Sequence, residues 1–382
     1  MPSRIRLEIV VFMLIRVLTN TMHRMVYPLL PAFARGLGVD IETFALALTA
    51  RSTVGAASPL FAALTDSRGR KTGMVFGMVL FLIGVGVVVV WPSFPVFVAA
   101  LILTTIGKYV IDPSIHAYLG DQVPYARRGL TAALVEMGWS LSFIVGVPLA
   151  GFLIARWGWL APFPLFSVLA LLSIGVLAWW LPDSAGETLS TPHIFYNISR
   201  IFRYLPAVAG LMVGAWMSAA NETVNLVFGV WLEDAFGLRL TALGAASMLI
   251  GISEFFGESI VGWITDRVGK PRAIAGGLVL NSLAALALPR LGTTLTGAFI
   301  GLFLFYVTFE FSLVSSIPLM TEIMPAQRAT LLAVYAAGLS LGRALAASFA
   351  TWLFAWGIGA SVLAAVGFNF LAGVALRKAK IP

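Results

Sequence analysis

Stretches of roughly 20 apolar residues recur along the whole chain, more than the interior of any compact soluble fold could hide. A backbone that crosses hydrocarbon must satisfy its own polar groups, so each stretch reads as a helix. The pattern predicts spans near 8–32, 43–64, 73–91, 95–118, 129–154 and 160–181, and again near 206–232, 241–264, 272–290, 295–320, 328–353 and 358–376. The expected fold class is an all-α membrane protein with 12 transmembrane helices. Of its 382 residues 59% are hydrophobic and 11% charged, which suits the bilayer as solvent. The first stretch does not read as a cleaved leader: it is too long, carries Arg16, Asn20, His23 and Arg24, and lacks a small-residue cleavage site.

A formal charge of +8 would suggest nucleic acid in a soluble chain, but here position matters more than the sum. With both ends on one side, the loops there carry Arg4, Arg6, Arg68, Arg70, Lys71, Arg127, Arg128, Arg200, Arg203, Arg267, Lys270, Arg272, Arg328, Arg377, Lys378 and Lys380. The opposite loops carry Arg35, Arg156, Arg239 and Arg290. That bias predicts both termini in the cytoplasm; the expected location is a prokaryotic-type inner membrane, with no nucleic-acid partner. The absence of cysteine excludes disulfides, thiolate metal sites and cysteine nucleophiles, and His23, His116 and His193 form no evident ligand set. No metal or organic cofactor is expected. Without a phosphate loop or nucleophile elbow, a membrane-embedded enzyme has no support, and a transporter-like sensor has none either.

One turn concentrates charge: "LTDSRGRKTG", Leu64–Gly73. It has an echo in "ITDRVGKPR", Ile264–Arg272, which aligns Asp66 with Asp266, Gly69 with Gly269 and Arg70 with Lys270. A second pair, "DQVPYARRG" (Asp121–Gly129) and "EIMPAQRAT" (Glu322–Thr330), aligns Asp121 with Glu322, Pro124 with Pro325 and Arg127 with Arg328. Both echoes share an offset near 200 residues, the mark of a tandem duplication of a six-helix unit. The chain therefore divides into an N-terminal bundle (1–182), a polar cytoplasmic linker (183–205) with an amphipathic stretch around Ile194–Tyr204, and a C-terminal bundle (206–382).

The run Asp66-Ser67-Arg68-Gly69-Arg70-Lys71 resembles the loop 2–3 signature of the major facilitator superfamily, and the resemblance covers the whole chain. Ala62 and Ser67 depart from the pattern, where Gly and Arg are usual, and Gly262 and Arg267 restore both in the second copy. The resemblance implies two lobes that rock around a midplane site, and a monomer. It also implies a cytoplasmic gate built from Asp66, Gly69, Arg70, Lys71, Asp121 and Arg127 with Asp266, Gly269, Lys270, Glu322 and Arg328. In "GWSLSFIVGVPLAG", Gly138, Gly146, Pro148 and Gly151 resemble the fifth-helix signature of the superfamily's drug/proton antiporters, with Val147 and Phe152 interrupting it. Read from the residues alone, the same glycines signal a close helix crossing.

Charges within spans need a partner or a wet cavity, and so mark function. The candidate proton-coupling acids are Glu222, Glu310, Glu254, Glu258, Asp112 and Glu136, with Glu222 in "NETVN" foremost. Candidate substrate-binding residues are Arg16, Asn20, His23, Arg24, Arg51, Lys108, Tyr109, Trp139, Asn221, Asn225 and Arg343. For each acid the alternative is a charge-paired strut. The expected function is a proton-driven secondary transporter exporting small amphipathic compounds by antiport. The alternative is uptake of an organic anion, or movement of an anionic lipid, using the bases of helix one. Expected partners are the bilayer, protons and a small-molecule substrate.

Overall fold

The computed structural model describes residues 3–61, 69–182 and 192–379, and these are helical throughout their regular parts. The helices are α1 Ser3–Arg24, α2 Leu30–Leu37, α3 Ile41–Gly55, α4 Arg70–Val90, α5 Phe94–Gln122, α6 Tyr125–Leu141, α7 Val147–Trp157 and α8 Pro162–Trp180. They continue as α9 Pro192–Arg203, α10 Leu205–Asn225, α11 Phe228–Phe236, α12 Leu240–Val268, α13 Lys270–Leu291, α14 Leu295–Ile323, α15 Arg328–Phe354 and α16 Ile358–Leu376. A π-helical turn, Ser142–Gly146, joins α6 to α7. Twelve crossings result when α1 is taken with α2, α6 with α7, and α10 with α11. Among the described residues nine helical stretches are long and apolar enough to cross alone. The other three crossings are the interrupted α1–α2 and α10–α11 and the 15-residue α3.

Those interruptions correct two expected spans. Instead of 8–32, the chain is helical to Arg24, turns over residues 25–29 and resumes at Leu30. Pro28 lacks an amide proton and disfavours a helical Tyr27, which ends α1 there. Instead of 206–232, α10 stops at Asn225 and turns at Leu226 and Val227 before α11. The fifth crossing also bends: the amide of Val147 donates to the carbonyl of Ser142, five residues back, beside Pro148, which has no proton to give. The linker is partly structured, as helix α9.

Backbone symmetry is stronger than the sequence echo. Six glycines have positive φ among the described residues, and they form three pairs: Gly38 (69°) with Gly237 (63°), Gly69 (91°) with Gly269 (86°), and Gly158 (87°) with Gly357 (89°). Each pair closes or opens corresponding helices in a conformation that costs any residue with a Cβ.

The chain forms two compact units. One comprises residues 1–39, 60–191 and 240–251; the other comprises 40–59, 192–239 and 252–382. In the first, Phe33, Phe97, Trp159 and Phe163 interlock with ring centroids 5.4–6.5 Å apart, fixing short α2 against α5 and α8. A side chain at Gly36 would strike the Trp159 ring. In the second, Ile201 of α9 is buried in a core with Met217, Ile274, Phe309, Leu319 and Tyr335, so the linker helix is part of that unit. Helix α3 packs on α15 within it.

Candidate functional site

The sharpest arrangement lies in the first unit, where α1, α5 and α6 bring five ionisable side chains together. Gly138 makes this possible: a Cβ there would lie 2.8 Å from the Cβ of Arg16, so α6 runs hard against α1. Arg16 donates to both carboxylate oxygens of Glu136, at 2.5 and 2.8 Å. Its Nε lies 3.7 Å from Asp112, which is in turn ion-paired with Lys108. His116 Nε2 sits 2.9 Å from Arg16 Nη1 and 2.8 Å from Glu136 Oε1. The side chains grade from buried to open, with Arg16 at 5% exposure, His116 at 37% and Glu136 at 46%.

The position of His116 carries chemical information. One ring nitrogen faces both an N–H donor and a carboxylate, and it can serve only one at a time. Without a proton on Nε2 it accepts from Arg16; with one it donates to Glu136. The histidine can therefore exchange one of these hydrogen bonds for the other. His116 has no evident ligand set in the sequence, and its place in this cluster comes from the fold. The signal was present, because Lys108, Asp112 and His116 recur every four residues and so share one face of α5.

One turn along α1 from Arg16, the Asn20 amide is fully buried, and among the described residues neither its nitrogen nor its oxygen has a hydrogen-bond partner. A turn further, Arg24 donates to the carbonyl of Trp139 at 2.9 Å. Its guanidinium lies 4.1 and 3.5 Å from the Trp139 and Phe143 ring centroids. Trp139 also faces Lys108 Nζ, 5.6 Å from its ring. His23 and Tyr109 are half-buried.

In the second unit Glu222 is fully buried, with Asn225 Nδ2 3.5 Å from its Oε2. Tyr306 donates to Asn225 Oδ1 at 2.9 Å. Glu254 and Glu310 are buried and Glu258 is half-buried; α12 packs closely on α14 at Gly257, where a Cβ would lie 2.9 Å from the Glu310 Cβ. Arg51 is buried and Asn221 half-buried, while Arg343 donates to Ser340 and Ser218 at 3.1 and 3.5 Å.

The candidate gate residues form two repeat-related ion pairs. Arg70 Nε lies 3.6 Å from Asp121, and Lys270 pairs with Glu322. Gly69 and Gly269 cap the helices that present the two bases. Arg328 donates to the carbonyl of Thr321 at 3.0 Å, Arg127 is exposed and Lys71 is half-buried. Asp66 and the side chain of Asp266 lie outside the described residues. The helix-five glycines all act as close crossings: Gly138 meets α1, Gly146 meets Thr21, and Gly151 faces Gly244, with a Cβ only 3.1 Å from its Cα.

Comparison with known proteins agrees with this layout. The chain is 24% identical over 312 residues to the uncharacterised transporter YbcL of Bacillus subtilis, covering 81% of this chain and 78% of that one. It is 27% identical over 277 residues to a chloramphenicol resistance protein of Streptomyces lividans, covering 70% and 69%. Its fold is similar to the crystal structure of a D-xylose-proton symporter at a TM-score of 0.79 and 18% identity, over 99% and 98% of the two chains. The profile of the Major Facilitator Superfamily matches residues 12–205 and 211–382. With matching helices, repeat and profile, the chain belongs to the major facilitator superfamily of membrane transporters.

Proposed function

We propose that this chain is a proton-coupled secondary transporter that works by alternating access and exports small amphipathic compounds by antiport. The observation that carries this reading is the Arg16–Asp112–His116–Glu136 cluster, with Lys108 behind it and the Asn20 amide one turn away. Protonation of His116 turns it from acceptor of Arg16 to donor to Glu136, which weakens the hold on the Arg16 guanidinium and changes the field beside Asn20. A substrate with a polar atom satisfies that amide and an apolar body lies against Trp139. Glu222, hydrogen-bonded to Asn225, is the second proton candidate. The same arrangement argues against uptake of an anion by the helix-one bases, because Arg16 faces two carboxylates and Arg24 is stacked on Trp139 and Phe143. Export of a drug-like compound also accords with the similarity to the chloramphenicol resistance protein.

The test uses proteoliposomes and two probes, labelled chloramphenicol and ethidium. An imposed pH gradient should drive wild-type flux. His116→Gln and Glu136→Gln should abolish the gradient-driven part while leaving gradient-free exchange intact. Unchanged pH-driven flux in both variants would overturn the assignment of the cluster. Wild-type flux indifferent to the gradient would overturn the coupling.

A further inference from the structure

The outer face of the second unit carries a groove of about 580 Å³ between α13 and α16. Its walls are mostly aliphatic and aromatic, among them the exposed Val279, Leu283, Phe370 and Val374, with Ser282 and Asn369 between them. One end is different. There Arg272, in the first turn of α13, and Arg377, just past the end of α16, both line the groove and are exposed. The two helices run antiparallel, so both arginines lie at the same end. Lining residues run from Pro271 to Leu283 on α13. At 1.5 Å per residue that is about 18 Å, close to the roughly 15 Å depth of one bilayer leaflet.

An apolar trough about one leaflet deep, with two bases at one end, is complementary in shape and charge to an anionic phospholipid. We infer that this groove is a binding site for an anionic phospholipid of the leaflet at its basic end, with the phosphate between Arg272 and Arg377 and an acyl chain along Val279, Leu283 and Phe370. A second lateral groove, of about 340 Å³, lies against α1 and α8 and shows by contrast what charge adds. Its lining residues, from Val11 to Val176, include no ionisable side chain, so it offers nothing to a headgroup. The α13–α16 site is separate from the proposed proton cluster, which lies in the other unit.

The test is native mass spectrometry of the full chain from mild detergent, titrated with phosphatidylglycerol and with phosphatidylcholine. Wild type should retain phosphatidylglycerol preferentially. Arg272→Gln with Arg377→Gln should lower that preference by about thirtyfold, the attraction of two arginines near a lipid surface. Arg290→Gln, at the opposite end of α13, should not change it. A Cβ at Gly373 meets nothing within 4 Å, so Gly373→Phe can fill the trough without disturbing the fold, and it should displace the lipid with both arginines in place. Glycerol phosphate alone should not compete. Equal phosphatidylglycerol retention in the double variant, no loss in Gly373→Phe, or full competition by glycerol phosphate would each overturn the assignment.

Discussion

Replacing Glu136 by Met should damage the protein, and replacing Arg16 by Met in the same chain should repair most of that damage. Glu136→Met strips the guanidinium of Arg16, 5% exposed, of its two shortest bonds. Breaking a buried ion pair by removing one partner costs about 3–5 kcal/mol. Asp112 remains 3.7 Å from Arg16 Nε, so the lower end, about 3 kcal/mol, applies. Arg16→Met is milder. Glu136 is 46% exposed, reaches water and keeps His116, so about 1 kcal/mol is expected. In the double variant the Lys108–Asp112 pair stands neutral by itself, and the loss should be about 1 kcal/mol rather than the additive 4. Unfolding by SDS in mixed micelles, followed by the fluorescence of the 11 tryptophans, measures all three. A double variant as unstable as the two singles added together would refute the account of the cluster as one electrostatic unit.

Three further outcomes follow from the geometry. A Cβ at Gly146 would lie 1.8 Å from Thr21 Oγ1, so Gly146→Ala should destabilise by about 1–3 kcal/mol in the same assay, and Thr21→Gly should relieve it. Lys270→Glu should alter the rate of substrate exchange by setting two acids side by side, and adding Glu322→Lys should restore it by re-forming the pair with its signs reversed. Asp40 caps α3, and its carboxyl is held below the usual 3.8 by the hydrogen bond from the Thr43 amide. A group depressed on folding stabilises above its unfolded value and loses that contribution as pH falls through the folded one. Relative to wild type at the same pH, Asp40→Ala should therefore reduce hydrogen-exchange protection of the Thr43 amide at pH 7, and the difference should shrink as the pH is lowered below 3.8.

The crossings could be read from the chain because a bilayer demands long apolar runs, and the duplication because Asp66, Gly69 and their echoes recur at one offset. The other two glycine pairs escaped notice. Gly38 and Gly237 sit in "RGLGVD" and "DAFGLR", which share little else, since a left-handed residue needs only the missing Cβ and places no demand on its neighbours. The break after Arg24 was foreshadowed by Pro28, but the one at Leu226 has no proline to announce it. Among the site residues, individual charges stood out because they are rare in spans. Their grouping did not, because Arg16 and Glu136 meet only once α1 and α6 are packed, 120 residues apart. The same holds for Asn225 and Tyr306, joined across 81 residues.

The duplication itself argues that the cluster serves function rather than folding. Helices α5 and α14 are both 29 residues long and start 201 residues apart, so their registers correspond one to one. At that offset Lys108, Asp112 and His116 fall on Phe309, Leu313 and Ile317, while Arg16 falls on Met217 and Glu136 on Ala337. Met217 and Phe309 belong to the core of the second unit, and Leu313 packs against it. At these five positions the repeat thus carries charged or titratable side chains in the first copy and apolar ones in the second, three of them in or against the core and Ile317 exposed. Replacing a buried ionic group with well-packed apolar side chains is commonly neutral or stabilising. Giving the first half the residues of the second, by Arg16→Met, Lys108→Phe, Asp112→Leu, His116→Ile and Glu136→Ala together, should therefore yield a chain that still reaches the membrane and unfolds at no lower SDS than wild type. It should also have lost pH-driven flux in proteoliposomes. A variant that fails to fold would make the cluster a structural necessity, and one that folds and still couples flux to the gradient would move the proton elsewhere, with Glu222 the next residue to neutralise.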